Sequence, residues 1–574
     1  MSFYKTILHP VRHLLLQSDQ KKGIWIVVLM VLNALLDFFG LASFLPLLFL
    51  LINQNFITSN KYVFWLYSYF NFSSASSFTI AFTGFVLTFI IFKNVVALWI
   101  TRAKASFCFA VGSGLSSRML ARYAEVSYLQ FSQSDFSKEI NRIANVPIAF
   151  ANNIIMPLAN LLSEGLVFLL LLICVAIYDL KIFALIVVVL TPIAFVYVLN
   201  RQNLSQISNE LKYKYPLTLK YVIQFVEGLI DIKAFRKESF FKSRFGEASR
   251  DFTKTLARDH VYQTSASRLT EIIAALIICM LIIYSIISNV DTQHTLLLLG
   301  IYAGASFRMI PSVNRILHAL TQIKSYEYLF NELGGLLFLQ MKVKTTRESV
   351  LPFTKTIEIR DISFQYPCRE EILHSISFTI QKGERIALVG KSGGGKTTVI
   401  MLLLKFLNGS SGRIFLDGQE VNGDELNEWR KIFAYVPQSP YILDGTIVEN
   451  IAFGYLPEEI DHDKIKQLIR DLELEEMINQ LPQGLATQVG EKGVKLSGGQ
   501  RQRIAIARAL YAEAEVLLLD EVTNQLDPKS EKEIITTLEK ISSQQKTFLM
   551  VTHHEHLLNH FDRVLTLENG RIRS

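Results

Sequence analysis

Cysteine is nearly absent: the 574-residue chain has four, Cys108, Cys174, Cys279 and Cys368, scattered far apart. Their spacing excludes a disulfide framework and a cysteine-based metal cluster, so they read as packed or lipid-facing thiols. Charge is scarce too. Only 19% of residues are Asp, Glu, Lys or Arg, against 50% hydrophobic, and mean hydropathy is +0.30. That balance excludes an ordinary soluble chain and points to segments in lipid. A removable leader is disfavoured as well. The apolar run from Gly23 to Ile52 far exceeds the roughly 7–15 residues of a signal core, and it lacks a convincing cleavage site. It reads as a retained span.

What is present are six apolar stretches long enough to cross a bilayer, at about 1.5 Å per residue over about 30 Å. They run over 23–52, 78–102, 152–178, 181–199, 270–288 and 294–313. Only "YDLK" separates the third from the fourth, which predicts a tight hairpin. Lys and Arg are nearly missing from one set of connections: residues 53–77 hold only Lys61, and "SNVDTQ" holds none. The opposite set is rich. Residues 201–268 carry thirteen, and Arg118, Arg122, Lys138 and Arg142 lie between the second and third stretches. The positive-inside rule makes the rich side cytoplasmic, with both chain ends there. The net charge of +7 is then topological, and nucleic acid is not expected as a partner. The two cytoplasmic segments have few Gly or Pro and keep apolar residues at helical spacing, as in "YVIQFVEGLIDIKAF". The spans are expected to continue as helices, reaching about 50 Å below the membrane.

Residues after about 345 change character. Short β-like runs, "RIALVG", "RIFLDG", "FAYVPQ", "VLLLDE" and "TFLMVTHH", alternate with helical ones. This is the rhythm of an α/β domain with a mostly parallel sheet. An exposed linker at 331–350, including "KVKTTRES", is expected to join a membrane domain, 1–330, to this second domain, 351–574. The expected fold is therefore a polytopic α-helical membrane domain of six spans plus an α/β P-loop domain.

"RIALVGKSGGGKTTVIMLLL" reads as strand, glycine loop and helix, and fits G-x-x-x-x-G-K-[ST]. The candidate phosphate cradle is Gly390, Lys391, Ser392, Gly393, Gly394, Gly395, Lys396, Thr397 and Thr398. Its backbone N–H groups and the helix N-terminus suit phosphate oxygens. Lys396 is a point charge for the β and γ phosphates, and Thr397 a hydroxyl for Mg²⁺. "VLLLDEVTNQLD" ends an apolar strand in two carboxylates. Asp520 fits a Mg²⁺-holding role and Glu521 the group that orients or deprotonates the attacking water. Gln438 in "YVPQSP" and His553 in "MVTHHE" follow two other strands, at the carboxyl ends where open α/β sheets gather ligands. Gln438 is a candidate for reaching metal and water, and His553 for the γ-phosphate. Tyr366, in "SFQYP", offers a ring face for adenine.

The order "GKSGGGKTT", "VPQSP", "LSGGQ", "LLLDE", "LD", "THH" resembles the ATP-binding cassette of ABC transporters over about residues 350–574. The resemblance implies ATP and Mg²⁺ as ligands and ATP hydrolysis as the activity. It also implies that Ser497, Gly498, Gly499 and Gln500 close over the nucleotide held by a second copy, and that Asp527 takes part at that junction. Six spans fused to one cassette resembles a half-transporter of the exporter kind, in a bacterial cytoplasmic membrane. With Glu521, His553 and "LSGGQ" intact, a homodimer with two working sites is expected. Two departures stand out. Gln488, in "TQVGEKG", replaces the family's usual acid, and "NQLD" at Asn524–Asp527 replaces its usual Ser-Ala before Leu-Asp.

Charges inside spans are costly and point to function by default. Here they are Asp37, Lys93, Glu164 and Arg308, with Glu271 at the cytoplasmic start of the fifth stretch. Pairing between helices and a polar lining for a charged headgroup are both open readings. "DFFGLASFLPLLFLL" and "GLIDIKAF" resemble flippases of lipid-linked oligosaccharides. Membrane lipid or a lipid-linked glycan is the expected substrate class; drug or lipid A export on the same scaffold is the alternative. A non-transport ABC ATPase and an ATP-gated channel are the remaining readings. A peptide exporter with an N-terminal cysteine protease is disfavoured, since the first cysteine is Cys108.

Overall fold

The computed structural model describes residues 9–52, 57, 60–178, 180–287, 292–337, 351–367, 369–421, 426–472, 474–490, 493–523, 531–532, 534–536, 538–539 and 546–573. The chain divides into two compact units. One comprises Met1–Val126 with Gln133–Met341, the other Ser127–Ser132 with Lys342–Ser574.

The first unit is helical. Three stretches, Ser18–Gly40, Ala75–Ala124 and Phe136–Ile177, are long and apolar enough to cross a membrane among the described residues. The other expected spans fall on the helices Leu180–Glu227, Glu238–Ile287 and Thr292–Ser325. The first expected span is not one rod. A helix Gln17–Ala42 stops, and a second begins at Phe44–Ile52. Pro46 accounts for the break: it offers no N–H, and its ring would clash with the carbonyl of Ala42 four residues back. The helix Ala75–Ala124 starts where Ser74 and Ser77 cap each other's backbone N–H at 3.2 Å. Its Ile80, Leu87, Leu98 and Trp99 are exposed on the single chain, as suits a lipid solvent.

The helical run leading to Tyr178 contains two widened turns. At Asn141–Asn145 and Ala151–Ile155 the backbone takes π geometry, with Val146 N bonding Asn141 O and Met156 N bonding Ala151 O. Beyond it, Leu180–Glu227 and Glu238–Ile287 pack along each other as an antiparallel pair, joined by a short helix Leu229–Ala234. Glu210 receives Lys214 at 2.6 Å and Arg258 at 2.5 Å, and the Thr255 hydroxyl at 2.7 Å. The Tyr215 ring meets Phe252, and Arg244 lies over Tyr221. The Lys214 bond leads in pulling the Glu210 carboxyl down to about 2. The expected linker is partly helix: Tyr328–Leu337 buries Leu329 and Leu333. Residues 338–350 lie outside the described residues.

Among the described residues, the second unit holds ten strands in two sheets. They are β1 (Thr356–Gln365), β2 (Glu371–Gln381), β3 (Arg385–Gly390), β4 (Ser411–Leu416), β5 (Gln419–Glu420), β6 (Phe433–Val436), β7 (Val516–Asp520), β8 (Thr547–Val551), β9 (Arg563–Glu568) and β10 (Arg571–Arg573). The first sheet has the order β2-β1-β4-β5 and is antiparallel. The second has the order β10-β9-β3-β8-β7-β6, parallel except at β10. "RIFLDG" therefore belongs to the antiparallel sheet, a correction to the reading of that run as part of one parallel sheet. Its partner β1 alternates buried and half-buried residues, as in a strand covered on one face.

The central parallel strands β7 and β8 are buried along their whole length because both faces are covered. Ile386, Leu388, Val516, Leu518, Leu549 and Val551 face one core with Val399, Ile400 and Leu403 of the helix Lys396–Leu403. Leu517, Leu519, Phe548 and Met550 face the other, with Ile504, Ala505 and Ala507 of the helix Gly498–Tyr511. Neighbouring residues of one strand thus feed opposite layers. Within this unit the Tyr128 ring stacks on Phe406 at 6.0 Å.

Candidate functional site

β3, β8, β7 and β6 are consecutive parallel neighbours, so their carboxyl ends line one edge of the sheet. β3 ends at Gly390, β7 at Asp520 and β8 at Val551, while β6 ends at Val436, two residues before Gln438. The sheet therefore assembles four sequence-distant motifs along one edge.

The glycine loop leaves β3 at Gly390, where there is no room for a side chain. A Cβ on Gly390 would lie 2.5 Å from the Leu567 carbonyl oxygen. Gly395 has φ of 101° and caps the helix Lys396–Leu403. Lys396 is 5% exposed, and its ammonium donates to the Gly390 and Lys391 carbonyls at 3.0 Å each. Burial pushes Lys396 below the usual lysine value, opposed by the Glu521 and Asp520 carboxylates. The Thr397 hydroxyl donates to Asp520 Oδ2 at 3.0 Å. Asp520 is itself buried, which holds its carboxyl above the usual range, with the Thr397 bond pulling the other way.

Glu521 is gripped from two sides. His553 Nε2 lies 2.8 Å from Oε1, and Gln438 Nε2 donates to Oε2 at 3.0 Å. Its backbone takes φ of 51°, a left-handed turn directly after the strand, and its N–H bonds Val551 O at 3.1 Å. Ser392, Gly393 and Gly394 form the loop between β3 and the helix, and Thr398 lies 3.4 Å from the Tyr366 hydroxyl. The Tyr366 ring is edge-on to Phe364 at 4.8 Å.

The Ser497–Gln500 loop stands separately. Ser497 Oγ accepts from Gln500 N at 3.2 Å, and Gln500 Oε1 accepts from Ser497 N at 2.8 Å. These bonds cap the helix Gly498–Tyr511 and do not reach the Gly390–Thr398 loop. Asp527, within 524–530, lies outside the described residues. Gln488 makes an isolated bridge with Thr446.

Sequence reasoning missed the Tyr435 hydroxyl, which donates to Asp520 Oδ2 at 3.3 Å; its place three residues before Gln438, on β6, was the available signal. It also missed Arg508, which binds the Asn450 and Tyr441 carbonyls at 2.8 and 2.9 Å and ties the Gly498–Tyr511 helix to the segment after Gln438.

In the helical unit, four of the five charges singled out come together. Asp37 takes Lys93 at 2.8 Å and Arg308 at 2.6 Å. Arg308 also lies 3.6 Å from Glu164, which takes Arg315 at 2.5 Å and the Ser312 hydroxyl at 2.8 Å. Glu271 is apart: it is exposed and pairs with Arg268 at 3.3 Å.

Residues 373–524 match the family model described as "ABC transporter". The chain is 33% identical over 353 residues to the "ATP-dependent lipid A-core flippase" of Saccharophagus degradans (strain 2-40 / ATCC 43961 / DSM 17024). That match takes in 60% of this chain and 58% of the relative's length. The protein of the same description from Vibrio cholerae serotype O1 (strain ATCC 39315 / El Tor Inaba N16961) is 26% identical, over 85% of this chain and 84% of its own. The solved "Structure of a bacterial Atm1-family ABC exporter with ATP bound" superposes with a TM-score of 0.75 at 21% identity, covering 98% of this chain and 95% of that one. The family-matched segment lies in the second unit, and along nearly its whole length the chain shares the fold of that exporter, a helical unit followed by an ATP-binding cassette.

Proposed function

We propose that the protein is an ATP-driven exporter or flippase that moves an amphipathic lipid, with a bulky polar headgroup, out of the cytoplasmic leaflet. The observation that carries the energy-coupling half is the double grip on Glu521 by His553 and Gln438, beside Lys396. The exporter fold and relatives described as lipid A-core flippases support the transport half. They favour a lipid A-like glycolipid over a lipid-linked oligosaccharide within the same substrate class.

In this reading the Gly390–Thr398 loop binds the ATP phosphates through backbone N–H groups, and Lys396 leaves the Gly390 and Lys391 carbonyls to meet the β and γ oxygens. Tyr366 flanks the adenine. Thr397 and Asp520, with hard oxygens 3.0 Å apart, and Gln438 suit Mg²⁺. Held there, the ion would offset the negative charge of the phosphates. Glu521 orients and deprotonates the attacking water, while His553 holds that carboxylate and meets the γ-phosphate.

The protein works as a homodimer. Ser497, Gly498, Gly499 and Gln500 of one copy close on the triphosphate of the other, using the first N–H groups of a helix, which have no intrahelical partner. Asp527 lies at that junction. Six spans cross the bacterial cytoplasmic membrane, with both cassettes and both chain ends in the cytoplasm. Joining and release of the cassettes switch the helical domain between inward- and outward-open states.

The test is reconstitution in liposomes carrying labelled lipid A, with Glu521→Gln and Lys396→Ala as controls. Expected are ATP-dependent flipping, retained ATP binding but a turnover loss of about 10²-fold or more in Glu521→Gln, and lost nucleotide affinity in Lys396→Ala. Wild-type turnover in Glu521→Gln would remove the catalytic assignment; ATP hydrolysis with no lipid movement would remove the flippase.

A further inference from the structure

The sequence "THHEH", Thr552–His556, puts three histidines into the turn after β8. His553 serves the nucleotide edge; His554 and His556 do not point to the same task. His554 Nδ1 lies 3.5 Å from Glu531 Oε1, and His556 Nε2 lies 3.2 Å from Glu531 Oε2. Glu531 begins the helical residues that follow 524–530. The His554 and His556 rings stand nearly perpendicular, with centroids 5.4 Å apart. One ligand atom from each of Glu531, His554 and His556 falls within 4.8 Å of the others.

Glu531 is the telling member. It is 7% exposed, and its Oε1 has no hydrogen-bond partner although it is buried. A buried carboxylate is costly unless its lone pairs are used. A neutral imidazole has one N–H to donate and one lone pair to offer. A divalent cation uses the lone pairs of two imidazoles and a carboxylate together, and needs no protonated histidine. Two nitrogens and one oxygen select a borderline first-row ion over Mg²⁺ or Ca²⁺, which prefer oxygen alone. Three protein ligands of this type suit Zn²⁺, with a fourth position for water.

We infer that Glu531, His554 and His556 form a binding site for a transition-metal ion of the Zn²⁺ class, separate from the Mg²⁺ of the nucleotide. The ion ties the turn that carries His553 to the helical residues at Glu531. Occupancy would therefore brace the turn that carries His553.

The test uses full-length, tag-free protein in detergent, stripped with chelator and free of nucleotide, so that its failure leaves the transport reading untouched. Co²⁺ is the probe, since its visible d–d absorption reports a low-coordinate nitrogen and oxygen site. Expected is one saturable Co²⁺ per chain, displaced by Zn²⁺ and not by Mg²⁺. His554→Asn/His556→Asn should weaken it by about tenfold or more, as should Glu531→Gln. His560→Asn should leave it unchanged, because His560 pairs with Glu539 outside the trio. His554 and His556 are not in the core, so that double variant keeps the test open if Glu531→Gln fails to fold. Absence of saturable binding, or binding that survives His554→Asn/His556→Asn, overturns the site.

Discussion

Glu521 holds a left-handed backbone, with φ of 51°, at a cost of about 1–2 kcal/mol for a residue with a Cβ. Its N–H bond to Val551 O and its side-chain bonds to His553 and Gln438 sustain that turn. Its neighbour Asp520 bears a different cost. Burial raises the carboxyl above its usual value, so the unfolded chain releases this proton first as pH rises. The ionised group is then a net loss of stability above the unfolded value, and the loss disappears when the pH falls below it. Asp520→Asn should accordingly melt no lower than the parent at pH 7 without nucleotide, while losing Mg²⁺-dependent turnover. A Tm several degrees below the parent would show that the carboxylate stabilises the fold. The identity of Asp520 and Glu521 was legible from four apolar residues running into two acids. The grip on Glu521 was not, because Gln438 and His553 lie 83 and 32 residues away.

At the scale of elements, the parallel strands were readable because each is a short apolar run ended by a turn. The antiparallel sheet was harder, since "RIFLDG" looks the same as its parallel neighbours and only its partner β1 distinguishes it. Pro46 carried the break in the first apolar run in plain sight. The intramembrane charges were found singly, yet their pairing spans 56 residues for Lys93–Asp37 and 271 for Arg308–Asp37. Ser312 and Arg315 lie four and seven residues from Arg308, on the same helix face, and that spacing was the missed signal. Asp37 joins three helices, Gln17–Ala42, Ala75–Ala124 and Thr292–Ser325. Asp37→Asn takes the carboxylate from Lys93, leaves Arg308 with Glu164 at 3.6 Å alone, and should cost about 3–5 kcal/mol. Lys93→Met should cost less, because Asp37 keeps Arg308. Thermal unfolding in detergent separates the two, and equal melting of Asp37→Asn and parent would refute the network as a structural element.

At the scale of the whole molecule, one chain has its Ser497–Gln500 loop occupied in capping its own helix. A composite site between copies predicts a specific crosslink. In a chain with its four cysteines replaced, Ser497→Cys/Ser392→Cys should form disulfide dimers when ATP is added to the Glu521→Gln background. Bridging that stays within single chains, or none at all, argues for another arrangement. Such a contact lies beyond what one sequence displays, because its two halves come from different molecules. The widened turns at Asn141–Asn145 and Ala151–Ile155 reach across the helical unit in another way. Each inserts about one residue, or about 100° of rotation, ahead of Glu164. The carboxylate meets Ser312 and Arg315 only after that double swivel. Removing a single residue from either bulge should therefore turn Glu164 towards lipid and harm the protein more than an alanine replacement at the same position, so this stretch tolerates changes of letter better than changes of length.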